Sequence, residues 1–338
     1  VQQESKESKE SIVQRLRTAV HPQWVDLEGG DFVQGSDDFY PDEAPVRHAQ
    51  VDAFAISATP VTNLQFAAFI EATGYVTVAE REVPGARDTP EVPDPRNAPA
   101  SSHAPGSLVF TRTEGPVDLS DWRQWWRWVP GAQWRHPAGE GEGPCASRIP
   151  AHPVVQIAYE DALAYASWAG GRLPVEEELE YAACGGARPA PYAWGGTRDL
   201  DGRLMANTWR GSFPYRSTGA NGWIGSSPVA TFPPNGYGLF DTIGNVWEWS
   251  TTLYDAAQPA ISSPQSSACA CSPGGSPVQG GSSTQGHQAS SVRRRVLKGG
   301  SHLCAPEYCL RYRPAARSPH SEDSATTHIG FRVVRDAG

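Results

Sequence analysis

The chain is 338 residues long, and its 34 glycines and 30 prolines make up nearly a fifth of it, against an average nearer ~12 %. Charged residues are only 19 % and the net charge is −9, which excludes a general nucleic-acid binder, since that needs basic surface to neutralise phosphates. No apolar run reaches the ~18 residues of a membrane span, and six cysteines are too few to staple a scaffold of this size.

Residues 1–21 read as a polar N-terminal tail, frayed or forming a short surface helix on the weak pattern Ile12, Val13, Leu16 and Val20. Their start has no apolar h-region, so a cytoplasmic protein is expected. Fold signals begin near Trp24. WVDLEGGDFVQGS predicts strand, Gly-Gly turn, strand, and RHAQVDAFAIS a second strand pair. TNLQFAAFIEATGY is a helix with a capping box, Thr62 with Gln65, and a C-terminal Gly74. Residues 80–120 read as irregular loop. WRQWWRWVPGAQW then carries Trp122, Trp125, Trp126, Trp128 and Trp134. This cluster is either core packing or the wall of a groove for an extended peptide.

YEDALAYASWAGG predicts a second helix with Leu163, Ala166 and Ala169 on its buried side. PVEEELEYAACGG predicts a third, burying Leu179, Ala182 and Ala183. Loops and short strands fill 187–250. Residues 255–290 are Ser/Gly/Pro-rich and expected to be mobile. Strands return in RRVLKGGS and HIGFRVV. The sum is one α+β domain, 22–338, with few helices and a long insertion.

The sharpest chemical feature is Cys304-Ala-Pro-Glu-Tyr-Cys309, followed by Arg311, Arg313 and Arg317. The spacing fits a local disulfide or two buried thiols. Nearby cations favour thiolate, and two thiolates alone suit Cu(I) rather than four-coordinate zinc. Cys269 and Cys271 read as incidental thiols in the low-complexity stretch, and Cys145 and Cys184 as unpaired small residues. In NGYGLFDTIGNVWEWS, Asp241, Asn245 and Glu248 with the carbonyls of Gly244 and Val246 supply oxygens for a hard cation. The same residues also suit turn hydrogen bonds. Asn207 and Asn221 form a weaker oxygen cluster. Of the histidines flanking the thiols, His320 reads as surface or structural. No HExxH, P-loop or GxSxG motif is present.

Taken together, GGDFVQGS, HPVVQIAYEDALAYASWAGGRLP, ANTWRGSFP, FPPNGYGLFDTIGNVWEW, LKGGSHLCAPEYCLRYRPAARS and HIGFR resemble the formylglycine-generating enzyme (sulfatase-modifying factor) family, in family order from about residue 22 to 335. The resemblance implies a compact, loop-rich α+β fold related to C-type lectins. It implies oxidation of a sulfatase cysteine within Cys-x-Pro-x-Arg to Cα-formylglycine, with O2 and Cu(I) on Cys304 and Cys309, by a monomer. It places Ser301 beside an oxygen pocket, has Trp247 and Tyr308 lining the site, and puts His328 where many members carry Asn. Arg313 and Arg317 match arginines of the family's core segment. Structural Ca²⁺ would be held by Asp241, Gly244, Val246 and Glu248 at one site, and by Asn207, Thr208, Asn221 and Trp223 at another. Two disulfides of animal members fall here on Ala166 with Val333 and Ala183 with Pro314, which fits a reducing compartment. Val175 replaces a capping Thr. The rivals are a non-catalytic binding paralogue on the same fold, a three-histidine iron sulfoxide synthase, and a metal-free disulfide exchanger.

Overall fold

The structure, a computed structural model, describes residues 8–82, 104–187, 190–255 and 293–337. Residues 256–292, with Cys269, Cys271 and nearly all of the expected mobile insertion, lie outside the described residues. So do residues 83–103 of the expected loop and residues 1–7 of the tail.

The rest of the tail is a seated helix. Helix α1 (Lys9–Thr18) is capped by Ser8, whose hydroxyl accepts the Ser11 N–H at 3.2 Å. Its apolar stripe buries Leu16 against Ala58, Ala230 and Phe240, and Arg17 donates to the Val229 carbonyl at 2.9 Å. Strands β1 (Trp24–Leu27) and β2 (Gly30–Gln34) follow, then β3 (Arg47–Val51) and β4 (Phe54–Ser57). The β1–β2 turn requires glycine: a Cβ on Gly29, at φ +71°, would lie 2.3 Å from the Val51 carbonyl oxygen. Helix α2 (Asn63–Thr73) closes its capping box in both directions and ends on Gly74 in the left-handed region.

Strands β5 (Gly106–Phe110) and β6 (Trp126–Pro130) pair antiparallel. β5 therefore corrects the irregular reading of 80–120. Its alternation is short and lies beside a Pro/Asp-rich stretch, and only its partner in the Trp-rich segment stabilises it. Helix α3 (Tyr159–Trp168) buries Tyr159, Asp161, Ala162, Tyr165 and Ala166. Leu163 is exposed, contrary to the expected face. The large Tyr165 ring, packed among Phe66, Phe69 and Phe331, sets the helix rotation instead.

Helix α4 (Glu176–Cys184) buries Leu179, Ala182 and Ala183 as expected, and Glu176, Glu178 and Glu180 with them. Val175 makes no side-chain cap bond. Only the reciprocal half of the cap survives, with Glu178 accepting the Val175 N–H at 2.8 Å.

Four two-residue strands follow: β7 (Asp199–Leu200), β8 (Arg203–Leu204), β9 (Gly211–Ser212) and β10 (Arg216–Ser217). Then come β11 (Trp247–Leu253), β12 (Arg294–Lys298), β13 (Arg317–Ser321), β14 (Ile329–Gly330) and β15 (Val334–Asp336). One sheet runs β1-β4-β15. A second runs β13-β12-β11-β14, antiparallel except for the β11–β14 edge. The main core gathers Phe66, Phe69, Tyr165, Trp247, Trp249 and Phe331 between them, and Cys304 and Cys309 belong to it. A second aromatic cluster, with Trp125, Trp126, Trp209 and Phe213, abuts it at Tyr308. The thiol loop lies where the two meet.

His320 on β13 is fully buried, not at the surface, with its ring edge-on to Trp249 at 5.4 Å. Burial pushes its pKa down to about 4, against about 6.5 in an unfolded chain. Between these values the unfolded state binds a proton that the native state refuses. Stability present above pH 6.5 is therefore lost on acidification, by about 1.4 kcal/mol per pH unit. A His320→Gln variant should lose about 2 kcal/mol less than wild type between pH 6.5 and 5. Urea midpoints at the two pH values check this, and equal slopes would show that His320 is not the proton acceptor.

Candidate active site

The site begins at the end of β12. Gly299 and Gly300 both have positive φ, and a Cβ on Gly300 would lie 2.6 Å from the Arg311 carbonyl oxygen. That close approach folds 301–309 back against 311–317. Within the fold-back, the Cys304 N–H donates to the Ser301 carbonyl at 3.0 Å, and the Tyr308 N–H donates to Ala305 at 3.0 Å. The Cys309 N–H also donates to Ala305, at 2.6 Å. This single turn sets the two sulfurs 3.2 Å apart, as free thiols in the buried core. The spacing is too long for a disulfide.

The two thiols are not equivalent. Burial pushes Cys304 up. The hydrogen bond from Cys309, the Ser301 N–H at 3.4 Å, the Ser301 hydroxyl and the Arg311 charge outweigh it, leaving Cys304 below the ordinary thiol value. Cys309 is pushed well above that value by burial and by its neighbour's sulfur. The pair gives up a first proton readily and holds the second, as coupled groups do. A soft cation shared by both sulfurs would release the second proton.

Cys304, Ser301, Trp247, Tyr308 and His328 meet at one small cavity of about 10 Å³, walled also by Trp125, Trp126 and Phe213. Residues spread from 125 to 328 thus converge. The Tyr308 ring stacks on Phe213 at 4.4 Å and meets Trp125 edge-on at 5.3 Å. His328 Nδ1 lies 2.7 Å from the Thr326 hydroxyl, and its ring packs on Trp126 at 4.9 Å. The Trp cluster divides accordingly. Trp125 and Trp126 wall the cavity, while Trp134 packs into the core on Phe66 at 5.2 Å. Phe213 lies within ANTWRGSFP but has no expected role there, and Thr326 precedes HIGFR and carries no signal of its own.

Two of the flanking arginines are held in buried ion pairs. Arg313 forks Glu43 at 2.7 and 2.6 Å, and Arg317 binds Glu176 at 2.8 Å, all buried. Lys298 joins the same network through Glu176 at 3.5 Å and also binds Glu180 at 2.7 Å.

The expected calcium residues lie behind the thiol loop. Asp241 and Asn245 adopt positive φ. Asp241 accepts the Ala230 N–H at 2.8 Å, and Asn245 accepts the Ser227 N–H at 2.9 Å. Both side chains thus bond across to the 227–230 segment, 11 and 18 residues earlier, rather than within their own turns as the turn reading expects. Glu248 is forked by Arg332 at 2.7 and 2.8 Å. Burial raises Asp241 to about 6 and raises Glu248 as well, against the pull of Arg332. Two buried carboxylates thus face one guanidinium, a charge balance that an additional hard cation fits.

The second set is less suited. Asn207 is buried and donates to the Gly225 carbonyl at 3.0 Å, and the Thr208 hydroxyl accepts from Arg198 at 3.0 Å. Asn221 is exposed at φ +49°, and Trp223 meets His152 edge-on at 5.2 Å. It offers no carboxylate, and a guanidinium stands beside it. Among the described residues no three His, Cys, Asp or Glu side chains converge as a metal site, and no helix is long and apolar enough to cross a membrane.

The sulfatase-modifying factor enzyme 1-like domain matches residues 9–337. The chain is 56 % identical over 315 residues to the formylglycine-generating enzyme of Mycobacterium tuberculosis, covering 92 % of this chain and 97 % of that one. It is 42 % identical over 318 residues to the formylglycine-generating enzyme of Thermomonospora curvata, covering 92 % and 93 %. Among solved structures, PvdO from Pseudomonas aeruginosa aligns with a TM-score of 0.56 at 22 % identity, covering 95 % of this chain and 97 % of that one, which shows the shared fold. The chain belongs to the sulfatase-modifying factor (formylglycine-generating enzyme) family.

Proposed function

We propose that the chain converts a sulfatase cysteine, within Cys-x-Pro-x-Arg, to Cα-formylglycine, with O2 as oxidant and Cu(I) held by Cys304 and Cys309. The observation that carries this is the pair of buried free thiols 3.2 Å apart at the edge of a small aromatic-walled cavity. Bound Cu(I) would supply one-electron chemistry with O2 that closed-shell thiols lack.

The chain's own residues do the remaining work. Cys304, already inclined to thiolate, is the first anchor, and Arg311 offsets its charge. Trp125, Trp126 and Phe213 give the space beside Cys304 an apolar wall. Ser301 and His328 are the polar groups at that space, and Thr326 fixes the imidazole orientation. In two-electron balance, the substrate's Cβ–H and S–H together give up two electrons and two protons to O2, leaving a thioaldehyde and hydrogen peroxide. Water then replaces sulfur at the carbon, and hydrogen sulfide leaves.

Asp241 and Glu248, with the Gly244 and Val246 carbonyls, are the candidate Ca²⁺ ligands, in a structural role. The second set has the weaker chemistry for one. Apolar Ala166, Val333, Ala183 and Pro314 at the family's disulfide positions support work in a reducing compartment such as the cytoplasm.

The deciding experiment incubates a Cys-x-Pro-x-Arg peptide with copper-loaded protein and follows replacement of sulfur by oxygen by mass spectrometry. Conversion should require both Cu(I) and O2. Conversion undiminished under anaerobic conditions, or no conversion by the loaded protein, would remove the proposal.

A further inference from the structure

The residues invoked so far meet at the Cys304 side of the thiol pair. The chain leaving Cys309 is held by a strap from far away in sequence, residues 39–43. The Tyr40 hydroxyl accepts the Leu310 N–H at 2.9 Å, and the Arg311 guanidinium lies over the Tyr40 ring at 3.9 Å. Asp42 takes Arg311 Nη1 on both carboxylate oxygens, at 3.1 and 3.0 Å, and its carbonyl accepts from Arg317 at 3.2 Å. Glu43 is forked by Arg313, whose guanidinium also covers Phe39 at 3.7 Å.

The bond to Leu310 is the one nearest the metal ligands. The Cys309 N–H is fixed on one side by Ala305. The next amide along, that of Leu310, is fixed by the phenol. Burial raises the Tyr40 phenol above its ordinary value, and the Cys309 sulfur adds to that, then Cys304. The hydroxyl is therefore within electrostatic reach of both thiols. A backbone pinned on both sides of Cys309 leaves its sulfur little freedom to drift from Cys304.

We propose that Tyr40 is a positioning residue for Cys309: by holding the Leu310 amide, its hydroxyl fixes the sulfur–sulfur spacing at which the pair grips a soft monovalent metal ion. The inference rests on the reading of the thiol pair as a Cu(I) site. The other strap contacts then anchor Tyr40 itself, with Asp42 and Glu43 held by buried arginines.

Tyr40→Phe tests this, because it deletes the acceptor and keeps the ring under Arg311. Its Cu(I) dissociation constant, read by competition with a chromophoric Cu(I) chelator under anaerobic reducing conditions, should rise roughly tenfold, the scale of one net hydrogen bond. Amide exchange in the 305–311 segment should quicken by roughly tenfold, with other segments unchanged, a readout that needs no metal. With peptide substrate, kcat should fall while KM holds. Cu(I) binding within about twofold of wild type would overturn the role of Tyr40 and leave the copper reading standing. A raised KM at constant kcat would make Tyr40 a peptide contact and overturn positioning. Wild-type protein that binds no Cu(I) would overturn the copper reading and this inference with it.

Discussion

Cys304→Ser and Cys309→Ser should each lose Cu(I) binding and lower kcat/KM by roughly a thousandfold or more, the scale on which members of one catalytic unit act. A serine hydroxyl is hard and stays protonated, whereas the site needs two soft anionic sulfurs. With the partner sulfur 3.2 Å away, removal of either leaves a single thiolate, and no third Cys, His, Asp or Glu converges to replace it among the described residues. The two losses should not add. Cys304→Ser/Cys309→Ser should be no less active than either single variant, because loss of one sulfur already empties the site. The fold should survive, since a buried hydroxyl that keeps a hydrogen-bond partner costs about 1–2 kcal/mol. Mass-spectrometric turnover of the peptide, alongside thermal melting, separates the two effects. A single variant that converts peptide at the wild-type rate would end the assignment of the thiol pair.

The thiol pair is legible in the sequence because its signal is local: two cysteines in one turn, with Gly299-Gly300 before them and arginines behind. The helices 63–73 and 176–184 are legible for a similar reason, since caps and apolar spacing lie within a single stretch. What escapes is whatever depends on a distant partner. β5 exists only because β6 pairs with it. The face of α3 is decided by Tyr165, which meets rings from α2 and from Phe331. The acidic run of α4 looks like a solvated first turn. Yet Glu176 and Glu180 are buried because Lys298 and Arg317 arrive from β12 and β13. The site divides in the same way. Cys304, Ser301, Trp247, Tyr308 and His328 do share one cavity. Thr326 and the 39–43 strap complete its surroundings from stretches with no motif of their own, and Phe213 from one whose packing role only the fold reveals.

Arg332→Met should destabilise the protein by about 3–5 kcal/mol, a large part of the ~5–15 kcal/mol that holds a domain together. Arg332 is fully buried and makes four bonds. Two go to Glu248 at 2.7 and 2.8 Å, one to the Ser57 carbonyl at 3.0 Å and one to the Phe240 carbonyl at 2.9 Å. It therefore ties β11 to β4 and to the loop before Asp241. In calcium-free protein, Met fills much of the volume but leaves Glu248 charged, buried and unpaired, with Asp241 nearby. The cost lies mainly in that orphaned charge, so Arg332→Met/Glu248→Met should recover most of it. The deficit should also depend on pH in a defined direction. Burial already raises Glu248, and Arg332 is the main influence holding it down. Without the guanidinium the folded-state value rises further above the unfolded carboxylate value of about 4.3. The native variant then binds a proton that its unfolded chain lacks, so its stability should rise as pH falls toward about 5, narrowing the gap to wild type. Urea unfolding of both proteins at pH 7.5 and 5.5 reads this. A gap that stays constant between the two pH values would mean that the loss comes from the Ser57 and Phe240 contacts rather than from the stranded carboxylate.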